Sequence, residues 1–357
     1  MLIRNPIQEN LFKKLQIPTP DGRQLKHKTI HDLISRLNML QQEFNNTTSL
    51  DFLKDVDTVH QALIKKYPNI GTRKTYVSNI TTIISPMGYN IWLEGYAESG
   101  LEYRRILEKY AKETALQVIQ QNATPKEISN WATKDELYKV VNRLRLRIEH
   151  KGYHSLSGDR FVPLIFGKET KHRNLIRDYM VGTLYTSDYT ARNIYGDMRI
   201  IAKSDYDKMK GLDLMNNYLV IENKDNKQFC YGNSKTSWVY SRVDNTKIWR
   251  GVVKIALSSK LNKVVNLYLN YHKQTHLLMN TRGKPLTSTG LTKLLQKIFA
   301  PTGKVISSAI LRKIFYTDEH AGDVPLINKM ATAKKMGNSV GVGETHYSKK
   351  NVVLDFG

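Results

Sequence analysis

The residues of this chain best suited to chemistry are its cations. Fifty-five lysines and arginines stand against 32 aspartates and glutamates, a formal net charge of +23 over 357 residues. Such an excess opposes folding by self-repulsion and favours a polyanionic partner. Guanidinium forks and lysine ammonium groups bind phosphate oxygens, so nucleic acid is the expected partner, with membrane phosphates a distant second. Two stretches place this charge on helices: Asn142–His150 (NRLRLRIEH), with Arg143 and Arg145, and the Arg73-Lys74 pair at a helix start. Both are read as DNA-backbone contacts, giving affinity that falls with salt and little choice of sequence. Other catalytic equipment is missing. The chain has no GxxxxGK[ST] phosphate loop, no HExxH and no GxSxG. Its ten histidines and its acidic residues do not cluster at metal-ligand spacing. The single cysteine, Cys230, excludes an internal disulfide and a thiolate metal site. Neither a cofactor nor a metal is expected.

A protein without metal or nucleotide can still act on DNA if it conserves phosphoester bond energy in a covalent intermediate. The segments SSAILRKIFYTDEH and INKMATAKKMGNSVGVGETHYSKK resemble the catalytic end of the tyrosine recombinases, the phage-integrase family. In that family an HxxR motif is followed by a GH-type motif, and the nucleophilic tyrosine lies nine residues after the second histidine. The resemblance makes Arg312 the motif arginine, Gly337-Asn338-Ser339 the second motif, and Tyr347, nine residues after Asn338, the nucleophile. Upstream, TLYTSDYTARNIYGDMRII resembles the first arginine box and places the first catalytic arginine at Arg192. The pair Lys235-Thr236 resembles the family's strand-associated lysine, with Lys224 and Lys227 as competitors in the neighbouring turn. The phrase GTRKTYVSNITTII and the N-terminal helices resemble the helical core-binding domain that grips the far side of the duplex. Some details resemble versions encoded by large DNA viruses and their mobile elements.

The implied chemistry suits these side chains. Attack on a phosphodiester builds charge on non-bridging oxygens, which Arg192 and Arg312 would bind in a bidentate manner. Tyrosine is a weak nucleophile at neutral pH, with an ordinary pKa of about 10, and nearby guanidinium charge favours its ionised form. Lys235 would protonate the leaving 5′-oxygen as general acid. The resemblance implies a 3′-phosphotyrosine intermediate, site-specific recombination or integration, and a homotetramer on two DNA sites. Tyr316, four residues after Arg312, is the lesser rival nucleophile. Two departures stand out: Ala309 occupies the HxxR histidine position and Asn338 the GH position. Asparagine can hydrogen-bond a phosphate oxygen but exchanges no proton near neutral pH. His320 and His346 are the nearby substitutes in sequence. The alternatives are a type IB topoisomerase or telomere resolvase with the same chemistry, or a DNA-binding paralogue with impaired catalysis.

These residues need a scaffold. The N-terminal third reads as amphipathic helices over Thr29–Asn45, with Thr29 and Asp32 placed to cap it, then over Asp51–Lys66, from Thr72 to a stop before Pro86, and over Glu102–Gln121. The break NATPKEISNW reads as an interdomain linker. A helix capped by Thr133 follows, and His172–Thr186 is helical. Strands are expected at Tyr218–Glu222, Gln228–Tyr231 and Val252–Leu257, the first two around a polar turn at Asn223–Lys227. Helices resume at Lys260–Tyr271, Thr289–Phe299, Ser308–Tyr316 and Pro325–Met336. The expected fold is mainly α with a small antiparallel sheet: a helical DNA-binding domain over 1–121, a linker over 122–131 and a catalytic domain over 132–357. The ten residues after Tyr347 (SKKNVVLDFG) include Val352, Val353, Leu354 and Phe356, apolar enough to dock on a neighbouring subunit. The start MLIRNPIQENLFKK lacks the apolar run of a signal peptide, and no stretch of about 18 uncharged apolar residues occurs. An intracellular, DNA-associated protein of a reducing compartment is expected.

Overall fold

Capping side chains set where the first helices begin. In the computed structural model, Asn5 accepts a hydrogen bond from the backbone of Gln8 and starts α1 (Pro6–Gln16), with proline in the first turn, where its missing N–H costs nothing. This helix is additional to those expected from the periodicity. The structure describes all residues except 1–4, 20–23, 46–47, 89–90, 151–168, 188–189, 234–237, 241–246, 250, 273, 281, 323, 337–338 and 353–357. It divides into two compact units, Met1–Gln120 and Gln121–Gly357.

In the first unit, α2 (His27–Glu43) starts at Lys26 without a side-chain cap, so Thr29 and Asp32 lie inside it rather than at its head. The expected single helix over Asp51–Lys66 is a 3₁₀ turn (Asp51–Lys54) followed by α3 (Val56–Lys66). Asp55 separates them by accepting from the Thr58 backbone at 3.1 Å, an Asp cap outcompeting helix continuation. Asn69 caps α4 (Ile70–Ile84) in the same way. The long α5 (Ala97–Gln120) begins earlier than expected, across Ser99-Gly100. Gly100 is needed there because a Cβ would overlap the Trp92 ring. The buried stripes are those read from the periodicity: Leu33 and Leu37 of α2, Val59 and Leu63 of α3, Ile80 and Ile83 of α4.

In the second unit the residues 122–131 contain a short helix, α6 (Pro125–Ser129), closed by a capping box between Thr124 and Glu127. Thr133 and Glu136 form the same reciprocal pair at the start of α7 (Lys134–His150). Next come α8 (Glu169–Tyr185), β1 (Arg199–Ala202), the short α9 (Lys203–Tyr206), β2 (Asn217–Ile221) and β3 (Lys227–Tyr231). A two-stranded ribbon, β4 (Trp238–Tyr240) with β5 (Lys247–Trp249), precedes β6 (Val253–Ala256). The main sheet has the order β1-β2-β3-β6. The three expected strands pair antiparallel as β2, β3 and β6, and β1 adds to them in parallel. The sheet is therefore mixed, and the whole remains mainly helical. The remainder is α10 (Ser259–Tyr271), α11 (Ser288–Phe299), α12 (Ser308–Glu319), α13 (Leu326–Lys335), the one-turn α14 (Val340–Val342) and a π-turn at Gly343–Tyr347. Their shared core mixes aliphatic side chains with aromatic ones, among them Tyr195, Phe229, Tyr231, Tyr268 and Phe315. Among the described residues, no helix is long and apolar enough to cross a membrane.

Candidate active site

The π-turn that carries Tyr347 exists because Gly343 has no side chain. A Cβ there would overlap the Tyr316 ring, so only glycine lets the turn lie against α12. Thr317 of α12 fixes the other end of the turn. Its hydroxyl donates to the Tyr347 carbonyl at 3.0 Å and accepts from the Lys349 N–H at 3.0 Å. Tyr347 is consequently buried, with 8% of its surface exposed.

Helix α12 also supplies Arg312. Its neighbours Leu311, Ile314 and Phe315 are core residues, and Arg312 itself is only 2% exposed. Its guanidinium carbon lies 4.5 Å from the centre of the Tyr347 ring. One donor, Nη2, reaches the Met336 carbonyl at 3.3 Å, while Nε and Nη1 are buried and find no acceptor among the described residues. Burying a guanidinium with unused donors is costly, and burial lowers the pKa of this one from the ordinary arginine value to about 10. The Tyr347 hydroxyl opposes that shift and the charge of Arg192 adds to it. Arg312 still carries its charge at neutral pH.

Arg192 comes from the loop after α8, 155 residues before Tyr347 in sequence, and its Nη2 donates to the Tyr347 hydroxyl at 3.1 Å. The loop is held on both sides. Thr190 donates to the Ser187 carbonyl at 2.6 Å. The amide of Asn193 donates to the Ser288 carbonyl at 2.9 Å and to the Thr292 hydroxyl at 2.8 Å, both on α11. The Tyr185 hydroxyl reaches the Arg192 carbonyl at 3.4 Å. Asn193 is a site residue that sequence reasoning missed. Its only sequence signal is adjacency to Arg192.

Thus three of the expected residues, Arg192, Arg312 and Tyr347, meet. Lys235 and Asn338, along with Gly337 and Thr236, lie outside the described residues. Of the competing lysines, Lys227 is not in the turn but opens β3. Its buried ammonium donates to the carbonyls of Asn223 (3.3 Å) and Lys224 (2.5 Å) and to Asn262 Oδ1 (3.1 Å). Those contacts pin the hairpin to α10 and use all three N–H groups. Lys224 is exposed in the turn. The rival Tyr316 is fully buried, its hydroxyl directed at the Val340 carbonyl (3.4 Å), and burial pushes its ionisation well above the ordinary value. His320 packs edge-on against Tyr316 with ring centres 3.8 Å apart, and burial lowers its pKa below 6.5. His346 is exposed beside the tyrosine. Ala309 is exposed on the first turn of α12.

The residues expected to contact DNA have the following surroundings. Arg143 is exposed on α7. Arg145 Nη1 donates to both carboxylate oxygens of Glu149 at 2.8 and 3.0 Å, and its Nε donates to Asn142 Oδ1 at 2.9 Å. In the first unit, Arg73 lies 5.3 Å from the centre of the Tyr110 ring, and Lys74 donates to Thr114 at 3.2 Å, so both lean on α5. A cleft of 610 Å³ between α7, α8 and the start of α10 is lined by Arg145 but by none of Arg192, Arg312 and Tyr347. No group of His, Cys, Asp and Glu able to hold a metal occurs among the described residues.

No protein-family model matches the chain, and no curated protein matches it. Among solved structures, the crystal structure of XerA recombinase is similar over 97% of this chain and 95% of that chain, at 10% identity and a TM-score of 0.37. A likeness that distant carries no inference about function.

Proposed function

We propose that this chain is a DNA strand transferase of the tyrosine-recombinase kind, acting without nucleotide cofactor or metal. The observation that carries the reading is a tyrosine hydroxyl held at 3.1 Å by one arginine, with a second arginine buried over its ring and two donors unused. A phosphodiester is the ligand that uses such donors: its two non-bridging oxygens accept what Arg312 Nε and Nη1 and the remaining N–H groups of Arg192 offer. The net charge of +23 supports a polyanionic substrate.

Tyr347 Oη attacks phosphorus and loses its proton, and the phosphorus–O5′ bond breaks. A 3′-phosphotyrosine remains, and the leaving 5′-oxygen takes up a proton. A 5′-hydroxyl of a second strand then attacks the linkage in reverse and restores the phosphodiester, so bond energy is conserved. The proton for the 5′-oxygen is assigned to a lysine, Lys235 or Lys224, since Lys227 is committed to three acceptors. A tetramer on two DNA sites, and an origin in a virus or mobile element, belong to this reading as the family pattern would have it.

Nicked suicide substrates, which lose a short 5′-hydroxyl fragment on cleavage, test the reading. The wild type is expected to form a covalent protein–DNA adduct in the presence of chelator, and Tyr347→Phe none. DNA binding without any adduct would favour the second reading, a binding protein with impaired catalysis, for which exposed Ala309 at the motif histidine position is the motive.

A further inference from the structure

The turn bearing Tyr347 is tied at one end to α12, and the chain that leaves it runs to an unexpected place. The Lys350 N–H donates to the Gln121 carbonyl at 3.1 Å. Asn351 forms a two-way bridge with the backbone of Ala123, accepting from its N–H at 2.5 Å and donating to its carbonyl at 3.3 Å. The Gln121 amide donates to the carbonyl of Glu344, inside the π-turn, at 2.6 Å. Lys349 reaches the Asn122 carbonyl at 3.5 Å. Residues 121–123 are the first of the second unit, immediately after α5 ends the first. Gln121 is held at a φ of +56°, a left-handed conformation that is unfavourable for a residue with a Cβ. Only surrounding contacts keep it there.

From these bonds we infer that Gln121 and Asn351 are positioning residues: they strap the nucleophile's turn to the stretch by which the chain enters its second unit. The strap acts through two kinds of contact. Gln121 fixes the start of the turn and Asn351 fixes its exit, and Thr317 holds the tyrosine between them. A two-point clamp of this type limits how far the hydroxyl can swing from the Arg192 donor. Loosening the entry stretch should therefore slow cleavage without weakening DNA binding.

The inference rests on the strand-transfer reading for its kinetic arm and is independent of it for its spectroscopic arm. The experiment uses the full chain with Asn351→Asp, Asn351→Ala and Gln121→Ala. It reads single-turnover cleavage of a nicked substrate at saturating DNA, DNA affinity, and the ¹⁹F resonance of 3-fluorotyrosine at position 347. The carboxylate introduced by Asn351→Asp keeps acceptance from the Ala123 N–H and loses donation to its carbonyl, so this variant is expected to slow cleavage several-fold. Asn351→Ala and Gln121→Ala are expected to slow it by about tenfold or more, with affinity within twofold and the ¹⁹F line shifted or broadened in the same order. A role in stability alone would lower the folded fraction without grading the rate of folded protein. Unchanged rates and an unchanged ¹⁹F line in Asn351→Ala would overturn the strap. If the wild type forms no adduct but the ¹⁹F line responds in that order, strand transfer fails and the strap stands.

Discussion

Arg145 and Arg312 sit on helices of the same unit, and their donors do opposite things. Arg145 is half-exposed on α7 and spends Nη1 on Glu149 and Nε on Asn142. Arg312 lies within α12, is almost wholly buried, and leaves Nε and Nη1 without an acceptor among the described residues. A surface pair with a neighbouring carboxylate is worth about 0–1 kcal/mol. A buried fork with open donors is held at a cost, and that cost makes sense when a ligand supplies the acceptors. In a chain with 55 basic residues, composition cannot separate these two cases. The fate of the N–H groups can.

Substitutions should widen that contrast before they blur it. Arg312→Ala and Arg312→Lys are expected to lower cleavage of a nicked substrate by about 10³-fold, and Arg192→Ala by about 10²-fold, since each removes donors that the proposed strand transfer assigns to developing charge. A lysine cannot rebuild the planar fork. Single-turnover rates check this, and near-normal cleavage by either Arg312 variant would erase the distinction. Gly343→Ala should be next in size. Its Cβ would meet the Tyr316 ring, so the turn must move, and both melting temperature and cleavage rate should fall.

On the other side of the comparison the effects shrink. Arg143→Gln should weaken DNA binding alike for all sequences and reduce the log–log salt slope by about 1. Arg145→Gln should change it by less, because Glu149 already takes its Nη1 and Asn142 its Nε. Equal changes would mean that the pair with Glu149 opens on DNA. The smallest expected effect is a control on folding. Burial lowers His272 from 6.5 to about 4, while its ring Nε2 donates to the Arg173 carbonyl at 3.0 Å. Between pH 6.5 and 4 the unfolded chain binds the proton that the folded one refuses, so stability is full above pH 6.5 and falls as pH drops through that window. His272→Gln should remove about one proton from the pH dependence of the denaturation midpoint there, and leave cleavage at neutral pH unchanged.

The elements most legible in the sequence are those whose stripe faces a single core. The periodicity of α2, α4, α10, α11 and α12 translates directly into their buried faces, and Ser258, Thr287 and Ser307 cap the last three as short polar residues should. The strands of the hairpin are legible for the same reason. Less legible are features set by distant partners. Strand β1 pairs in parallel through a connection that holds α9 and a 3₁₀ turn, and nothing local announces its neighbour. The extra residues at the start of α5 follow from Trp92 lying against Gly100, a contact invisible in a pattern that treats Ser-Gly as a breaker. Arg192, Arg312 and Tyr347 are reached through motif order, and the structure brings them together. Asn193, Thr317, Gln121 and Asn351 are not, because their work is to hold backbone in place and their types carry no chemical signature.

In the proposed reaction Tyr347, between these two arginines, becomes covalently joined to DNA. Proteolysis of the adduct trapped on a nicked substrate, followed by tandem mass spectrometry, tests it most directly. The expected product is a nucleotide joined through a 3′-phosphate to Tyr347, with Tyr316 unmodified. Attachment to Tyr316 or to any other residue would contradict it.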